Sequence, residues 1–362
     1  MPSIPFTDLK SQYNEAKIYI DSAIQEVIEM SSFITGPMVD EFETVIKGYC
    51  GAEDCASIGS GTNALLCALK AVNVGEGDEV ITVSHTFVST TEVICNVGAV
   101  PVFVDIDDFY HMDIKGIEHR ITNKTKAILF VDLYGQTPNI DELKQIATKH
   151  NLVLIEDAAQ SFGSSYKTKK VGSIADLTCF SFNPVKNLGA MGDAGAVTGS
   201  KLLMDKVRMY RDHGRQTKFS YETVGYNARI DNLQAKIIQA KLPFLDEWNR
   251  KRRIIAHTYT NELQNIVQTP QENLDSYHTY YVYVIQTDRR DNLREHLQNA
   301  GIQTNIHYPT PTHMTPAFQK YANKFLLKTE KICGRILSLP VYHSLTHNDQ
   351  EYIIDSIKQW HK

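Results

Sequence analysis

Short β-branched runs alternating with helix-period segments over the first two thirds of the chain constrain its fold more than any other feature. Glu79–Val83 and the runs 100–105, 127–131 and 152–156 are apolar and of strand length, while Ile140–His150 carries the 3.6-residue period of a helix. Near-continuous apolar strands joined by helices belong to parallel sheets covered on both faces, so an α/β fold with a mostly parallel central sheet is expected. Segments 177–182 and 194–198 read as two further strands. A helical stretch from about residue 232 to about 263 then leads to a C-terminal third in which 280–285 reads as a strand and 289–299 as a helix. The expected organisation is a large domain over 1–240 and a smaller α+β domain over 241–362. With 42% hydrophobic residues, 362 residues suffice for buried cores without covalent staples.

Charge and composition exclude several classes of function. Lys and Arg number 37 against 42 Asp and Glu, and no basic block or patterned basic face stands out, so nucleic acid is not an expected partner. The opening residues lack a charged segment followed by an apolar run, and no apolar stretch reaches spanning length. A cytoplasmic protein without membrane contact is therefore expected. The six cysteines are scattered without a C-x-x-C pair and read as buried free thiols; the 13 histidines show no H-E-x-x-H spacing, so no metal is expected.

Two charged residues carry the strongest chemical signal. Lys186 lies in the Gly-ended segment 181–189, just past an apolar run, and Asp157 ends the run that begins at Leu152. Pyridoxal 5′-phosphate chemistry requires this pair of groups: an amine to hold the cofactor aldehyde, and a carboxylate to keep the pyridine nitrogen protonated so that the ring accepts electrons. A third requirement, a phosphate cradle, fits Gly59, Ser60, Gly61 and Thr62 immediately before the helical pattern of Leu65, Leu66 and Leu69. Glycines admit an anion close to backbone N–H groups, and the helix start adds partial positive charge. Each part has a plainer reading: a Ser/Gly cluster is often just an N-cap, an Asp after a strand often caps the next helix, and a Lys beside glycines is often a solvated loop residue. Taken together, and at the carboxyl ends of strands where parallel sheets bind ligands, they favour a site.

These blocks occur in an order that resembles the DegT/DnrJ/StrS family of sugar aminotransferases. The resemblance rests on Phe33 to Pro37 with Phe42 and Glu43, Gly59 to Leu65, Leu133 to Gln136, Glu156 to Gln160, Ser181 to Gly189, Gly192 to Ala196 and Gly225 to Asp231, so it spans nearly the whole chain. It implies the aspartate aminotransferase (type I) fold and a homodimer with active sites shared between subunits. It implies as activity the transfer of an amino group from L-glutamate to a nucleotide-linked keto sugar, in amino-sugar and polysaccharide biosynthesis. Residue by residue, it implies that Lys186 binds the cofactor and shuttles the proton, Asp157 faces the pyridine nitrogen, Gln160 approaches the ring oxygen and Phe87 stacks on the ring. Gly61, Thr62 and Ser181 would hold the phosphate, joined by Asn227 from the partner subunit. Arg229 would clamp a carboxylate or nucleotide anion, with His307 and Tyr308 on the sugar side. His85 stands where many members of the family carry another polar residue, commonly Asn, and Asn183 where several sugar 3-aminotransferases carry an aromatic, both at positions expected close to the sugar entrance. Segment 187–195 resembles the 3-aminotransferase form, which favours a 3-keto hexose. The alternatives are a 4-keto sugar 4-aminotransferase and a non-catalytic, cofactor-binding regulatory protein. A related dehydratase branch carries histidine where Lys186 stands.

Overall fold

The computed structural model describes residues 3–322 and 325–362. Its centre is a seven-stranded sheet of β1 (Asp54–Ile58), β2 (Glu79–Val83), β3 (Val100–Val104), β4 (Thr125–Val131), β5 (Val153–Asp157), β6 (Leu177–Ser181) and β7 (Gly195–Gly199), in the order β1-β7-β6-β5-β4-β2-β3. The pairs from β6 through β5, β4 and β2 to β3 are parallel; β7 runs antiparallel to both its neighbours. The mostly parallel α/β architecture expected from the alternation is therefore present. The strand β1, which lies outside the runs read from the sequence, is short and carries Asp54 and Ser57 within it.

Helices α1 (Leu9–Met30), α2 (Pro37–Cys50), α3 (Gly61–Ala71), α4 (Val88–Asn96), α5 (Ile140–His150) and α6 (Lys201–Arg211) precede or cover the sheet. Local signals set their ends. In α5 the Asn139 side chain accepts from the Glu142 N–H, and Asn151 closes the helix in the left-handed region at φ 53°. One face of the sheet packs against α3, α4 and α6 through Leu65, Leu69, Ile94, Val197 and Val207. The opposite face contributes Phe130, Leu154 and Ile81 to a core that also contains Ile140, Leu143, Val284 and Ile336.

The expected single helix over 232–263 is two, α7 (Asn232–Lys241) and α8 (Leu245–Leu263), separated by a 3₁₀ turn at Leu242–Phe244. Pro243 has no N–H to donate and its ring opposes the preceding turn, which breaks the α ladder. The C-terminal region holds a two-stranded antiparallel pair, β8 (Tyr283–Gln286) with β9 (Ile336–Leu339), and helices α9 (Arg290–Asn299), α10 (Leu327–Cys333) and α11 (His347–His361). The strand expected over 280–285 begins only at Tyr283, because Tyr280 takes φ 46° and turns the chain before it extends. A core of Tyr259, Tyr283, Leu293, Leu337 and Ile353 stabilises this region, and Ile4 of the N-terminal segment joins it. Among the described residues no helix is long and apolar enough to cross a membrane.

Candidate active site

The edge of the sheet at the carboxyl ends of β5 and β6 opens into a cavity of about 610 Å³. Asp157 is the last residue of β5, and Lys186 sits on the connection that leaves β6 and returns as β7. That connection is tightly drawn: the Lys186 N–H donates to the Asn183 carbonyl at 2.9 Å and the Ala190 N–H to the Phe182 carbonyl at 2.7 Å. Gly189 is required there, since a Cβ would lie 2.3 Å from the Pro184 carbonyl oxygen. Behind the connection, the buried Asn187 amide donates to Asn249 at 2.8 Å and to the Thr279 carbonyl at 3.1 Å. The Lys241 ammonium, also buried, reaches Gln12 and the Gly189 carbonyl, and burial lowers its pKa to about 8. The backbone that carries Lys186 is thus held from the protein interior.

Asp157 is buried, and desolvation raises its pKa above the ordinary carboxylate value despite two donors that favour the charged form. Thr90 of α4 donates to it at 2.7 Å and the Ala159 N–H at 3.2 Å. A cationic partner facing this carboxylate from the cavity would complete its charge pairing. The Lys186 amine forms no salt bridge among the described residues and lies 4.4 Å from the centre of the Tyr281 ring. Opposite them, α3 starts at Gly61, so its first N–H groups are free, and Ser60 caps it by accepting from Asn63 at 3.1 Å. A Cβ on Gly61 would lie 2.7 Å from the Ser181 Cβ; only glycine lets this turn and the Ser181 hydroxyl converge. Amine, buried carboxylate and anion cradle around one cavity match the donor set that pyridoxal 5′-phosphate requires.

Of the residues singled out from the sequence, Gly61, Thr62, Phe87, Asp157, Gln160, Ser181, Lys186, His307 and Tyr308 all line this cavity. Gln160 is oriented at both ends: its amide oxygen accepts from the Tyr134 N–H at 2.8 Å and its Nε2 donates to the Tyr308 hydroxyl at 3.1 Å. Burial, helped by the nearby Lys186 charge, lowers the His307 pKa to about 4, so its ring is neutral at ordinary pH. Asn227 and Arg229 do not reach the cavity within one chain. Asn227 is exposed, and Arg229 pairs with Asp212 at 2.5 Å on the wall of a separate cleft of about 780 Å³ that Arg208, Arg211 and Arg215 share.

The two positions that depart from the family pattern fall differently. His85, expected near the sugar entrance, is buried and does not line the cavity; its ring bonds the Tyr134 hydroxyl at 2.7 Å. Asn183 does line it, beside Asp193, to which it donates at 3.0 Å. Within segment 187–195, Asn187 to Ala190 face the interior, and Asp193 alone lines the cavity. Thr90, Tyr281 and Asn305 escaped the sequence reading because each contributes through a tertiary contact. A threonine in the first turn of a helix gives no signal of its own.

The DegT/DnrJ/EryC1/StrS aminotransferase family matches residues 15–358. The chain belongs to that family. A pleiotropic regulatory protein of Geobacillus stearothermophilus is 40% identical over 368 residues, 99% of each chain. The dTDP-3-amino-3,4,6-trideoxy-alpha-D-glucose transaminase of Streptomyces venezuelae is 36% identical over 365 residues, 99% of this chain and 96% of that one. Among solved structures, NtdA from Bacillus subtilis with bound cofactor PMP superposes with a TM-score of 0.93 at 33% identity, covering 99% of this chain and 85% of that one. The protein is an aminotransferase of this fold.

Proposed function

We propose that the protein moves the amino group of L-glutamate to C3 of a nucleotide-linked 3-keto hexose, using pyridoxal 5′-phosphate. The observation that carries this reading is the convergence of Lys186, Asp157 and the Gly61–Ser181 cradle on one cavity. The cofactor, when bound, supplies an electron sink that stabilises negative charge developing at the amino-bearing carbon. Asp157 keeps the pyridine nitrogen protonated, and Thr90 fixes its oxygen. The Lys186 amine is the group that would hold the cofactor through its aldehyde, and the same amine would accept and return the proton at the amino-bearing carbon. The α3 N-terminus and Ser181 anchor the phosphate, Phe87 covers the ring, and His307 and Tyr308 bound the sugar side. The preference for C3 rests on the segment that follows Lys186 and on the name of the Streptomyces venezuelae relative, which describes a 3-amino sugar.

A regulatory role without turnover is the second reading, favoured by the name of the Geobacillus relative. L-Glutamate separates the two. An aminotransferase converts cofactor to its amino form and releases 2-oxoglutarate stoichiometrically without any sugar present. Bound cofactor whose spectrum responds to glutamate without release of 2-oxoglutarate would instead support the regulatory reading. NMR of the product from competing 3-keto and 4-keto nucleotide sugars decides the position, and nitrogen at C4 refutes the C3 assignment.

A further inference from the structure

Tyr134 contributes no atom to the lining of the cavity, yet it bonds three residues that do. Its N–H donates to Gln160 at 2.8 Å, its carbonyl accepts from the Tyr281 N–H at 2.9 Å, and its hydroxyl donates to the His307 carbonyl. Gln160 in turn donates to the Tyr308 hydroxyl at 3.1 Å, which closes a ring of contacts through the His307–Tyr308 peptide. The backbone of Tyr134 sits at φ 65°, a region that bulky side chains rarely occupy. Strain of this kind persists only where surrounding contacts over-determine it, and it concentrates at functional sites.

The direction of the hydrogen bonds extends the network one step further. The hydroxyl of Tyr134 has one proton, and the His307 carbonyl takes it. The bond of 2.7 Å between that hydroxyl and His85 Nε2 must therefore be donated by the imidazole. His85 is then neutral with its proton on Nε2, leaving Nδ1 to accept from the Cys333 thiol at 3.4 Å. Full burial keeps the ring neutral, with its pKa lowered to about 3. The chain of donors runs from Cys333 through His85 and Tyr134 to the carbonyl of His307. The His307 ring is held independently, by Ser338 at 2.8 Å and by stacking on Phe6 at 5.6 Å.

We propose that His85 and Tyr134 are positioning residues that fix the wall formed by His307 and Tyr308, and so set affinity for the sugar half of the substrate without serving the glutamate half-reaction. This rests on the proposed function, since it assigns that wall to the sugar. Removing the Tyr134 hydroxyl leaves the His307 carbonyl and the His85 N–H unpaired in a buried site, which frees the wall but leaves the backbone bonds to Gln160 and Tyr281 in place.

The test uses cofactor-loaded protein and two unreactive probes, UDP-N-acetylglucosamine and dTDP-glucose, with Kd read by calorimetry. Whichever probe wild-type protein binds should bind about tenfold more weakly to Tyr134→Phe and to His85→Leu. His85→Gln places an amide donor near the position of Nε2 and should restore binding to within about threefold of wild type. The rate of the glutamate-driven spectral change should stay within about twofold in all three variants. Unchanged Kd in Tyr134→Phe or in His85→Leu, or no recovery in His85→Gln, overturns the inference while leaving the proposed function standing. So does an equal fold-loss in probe affinity and in the glutamate-driven rate accompanied by a lower unfolding midpoint, because that is a purely structural effect. Wild-type protein that binds neither probe sinks the proposed function and this inference together.

Discussion

At the scale of single residues, the site depends on an amine kept free of competing partners. Lys186 forms no ion pair among the described residues and rests against an aromatic face, so its lone pair is available once a proton leaves. Substituting Lys186→Ala should remove the borohydride-reducible covalent link to the cofactor and lower turnover by roughly ten-thousandfold, the upper range for losing a proton-transfer group. Cofactor should remain bound noncovalently through Asp157 and the phosphate cradle, as equilibrium dialysis would report. An active Lys186→Ala protein that borohydride still couples to the cofactor would refute the assignment. Lys186, Asp157 and Gly61 were legible in the sequence because their chemistry fixes residue type and local setting together: small residues before a helix, a carboxylate at a strand end, an amine just past the next strand; Ser181 came only with the family resemblance. Tyr134 and Thr90 were not. Their contributions come from contacts across the fold, and a Tyr or a Thr in an apolar segment reads as ordinary core.

At the scale of elements, the strand ends that present the site enclose a buried acidic pair. Asp132, just past β4, and Glu156 in β5 face each other and are both fully buried. Glu156 accepts from Thr178 at 2.7 Å and Asp132 from Ser161 at 2.7 Å, which leaves one oxygen on each without a donor unless a proton lies between them. Burial raises both carboxyls, and the neighbouring Glu156 raises Asp132 further. The folded chain therefore keeps a proton that the unfolded chain releases in the ordinary carboxylate range. Where the folded state binds more protons, rising pH costs stability, so the pair should weaken the fold progressively from roughly pH 4.5 upward through neutrality. Glu156→Gln supplies a permanent donor toward Asp132. Its unfolding free energy, from urea titrations, should fall less than that of wild type between pH 5 and pH 8, by a difference on the order of 2 kcal/mol. Identical pH profiles would show that no proton is shared. The elements around this pair were read correctly in kind because apolar runs and helix periods survive without tertiary information. Their edges moved where one residue's backbone decides: Pro243 divides a predicted helix, and Tyr280 at positive φ delays a strand.

At the scale of the whole molecule, one chain leaves two features without a counterpart. Ile18 and Tyr19 on α1 are 82% and 60% exposed, Phe87 and Val185 of the cavity lining are exposed, and so is Met191. Asn227 and Arg229, which the family resemblance assigns to a phosphate and an anion, lie outside the cavity of their own chain. Both features are accounted for if two subunits pair about a twofold axis and each lends its 225–231 segment to the other's site. Subunit exchange tests this directly. Lys186→Ala and Asn227→Ala proteins should each be impaired as homodimers, the first nearly inactive and the second weakened in cofactor binding. After random exchange at equal concentrations, about half of the dimers are mixed, and in a mixed dimer both lesions fall on one site while the other is intact. Activity should then recover to about a quarter of the wild-type value at limiting cofactor. If exchange is verified by tagged subunits and activity stays at the sum of the two parents, Asn227 does not serve a partner's site and the shared-site dimer is refuted.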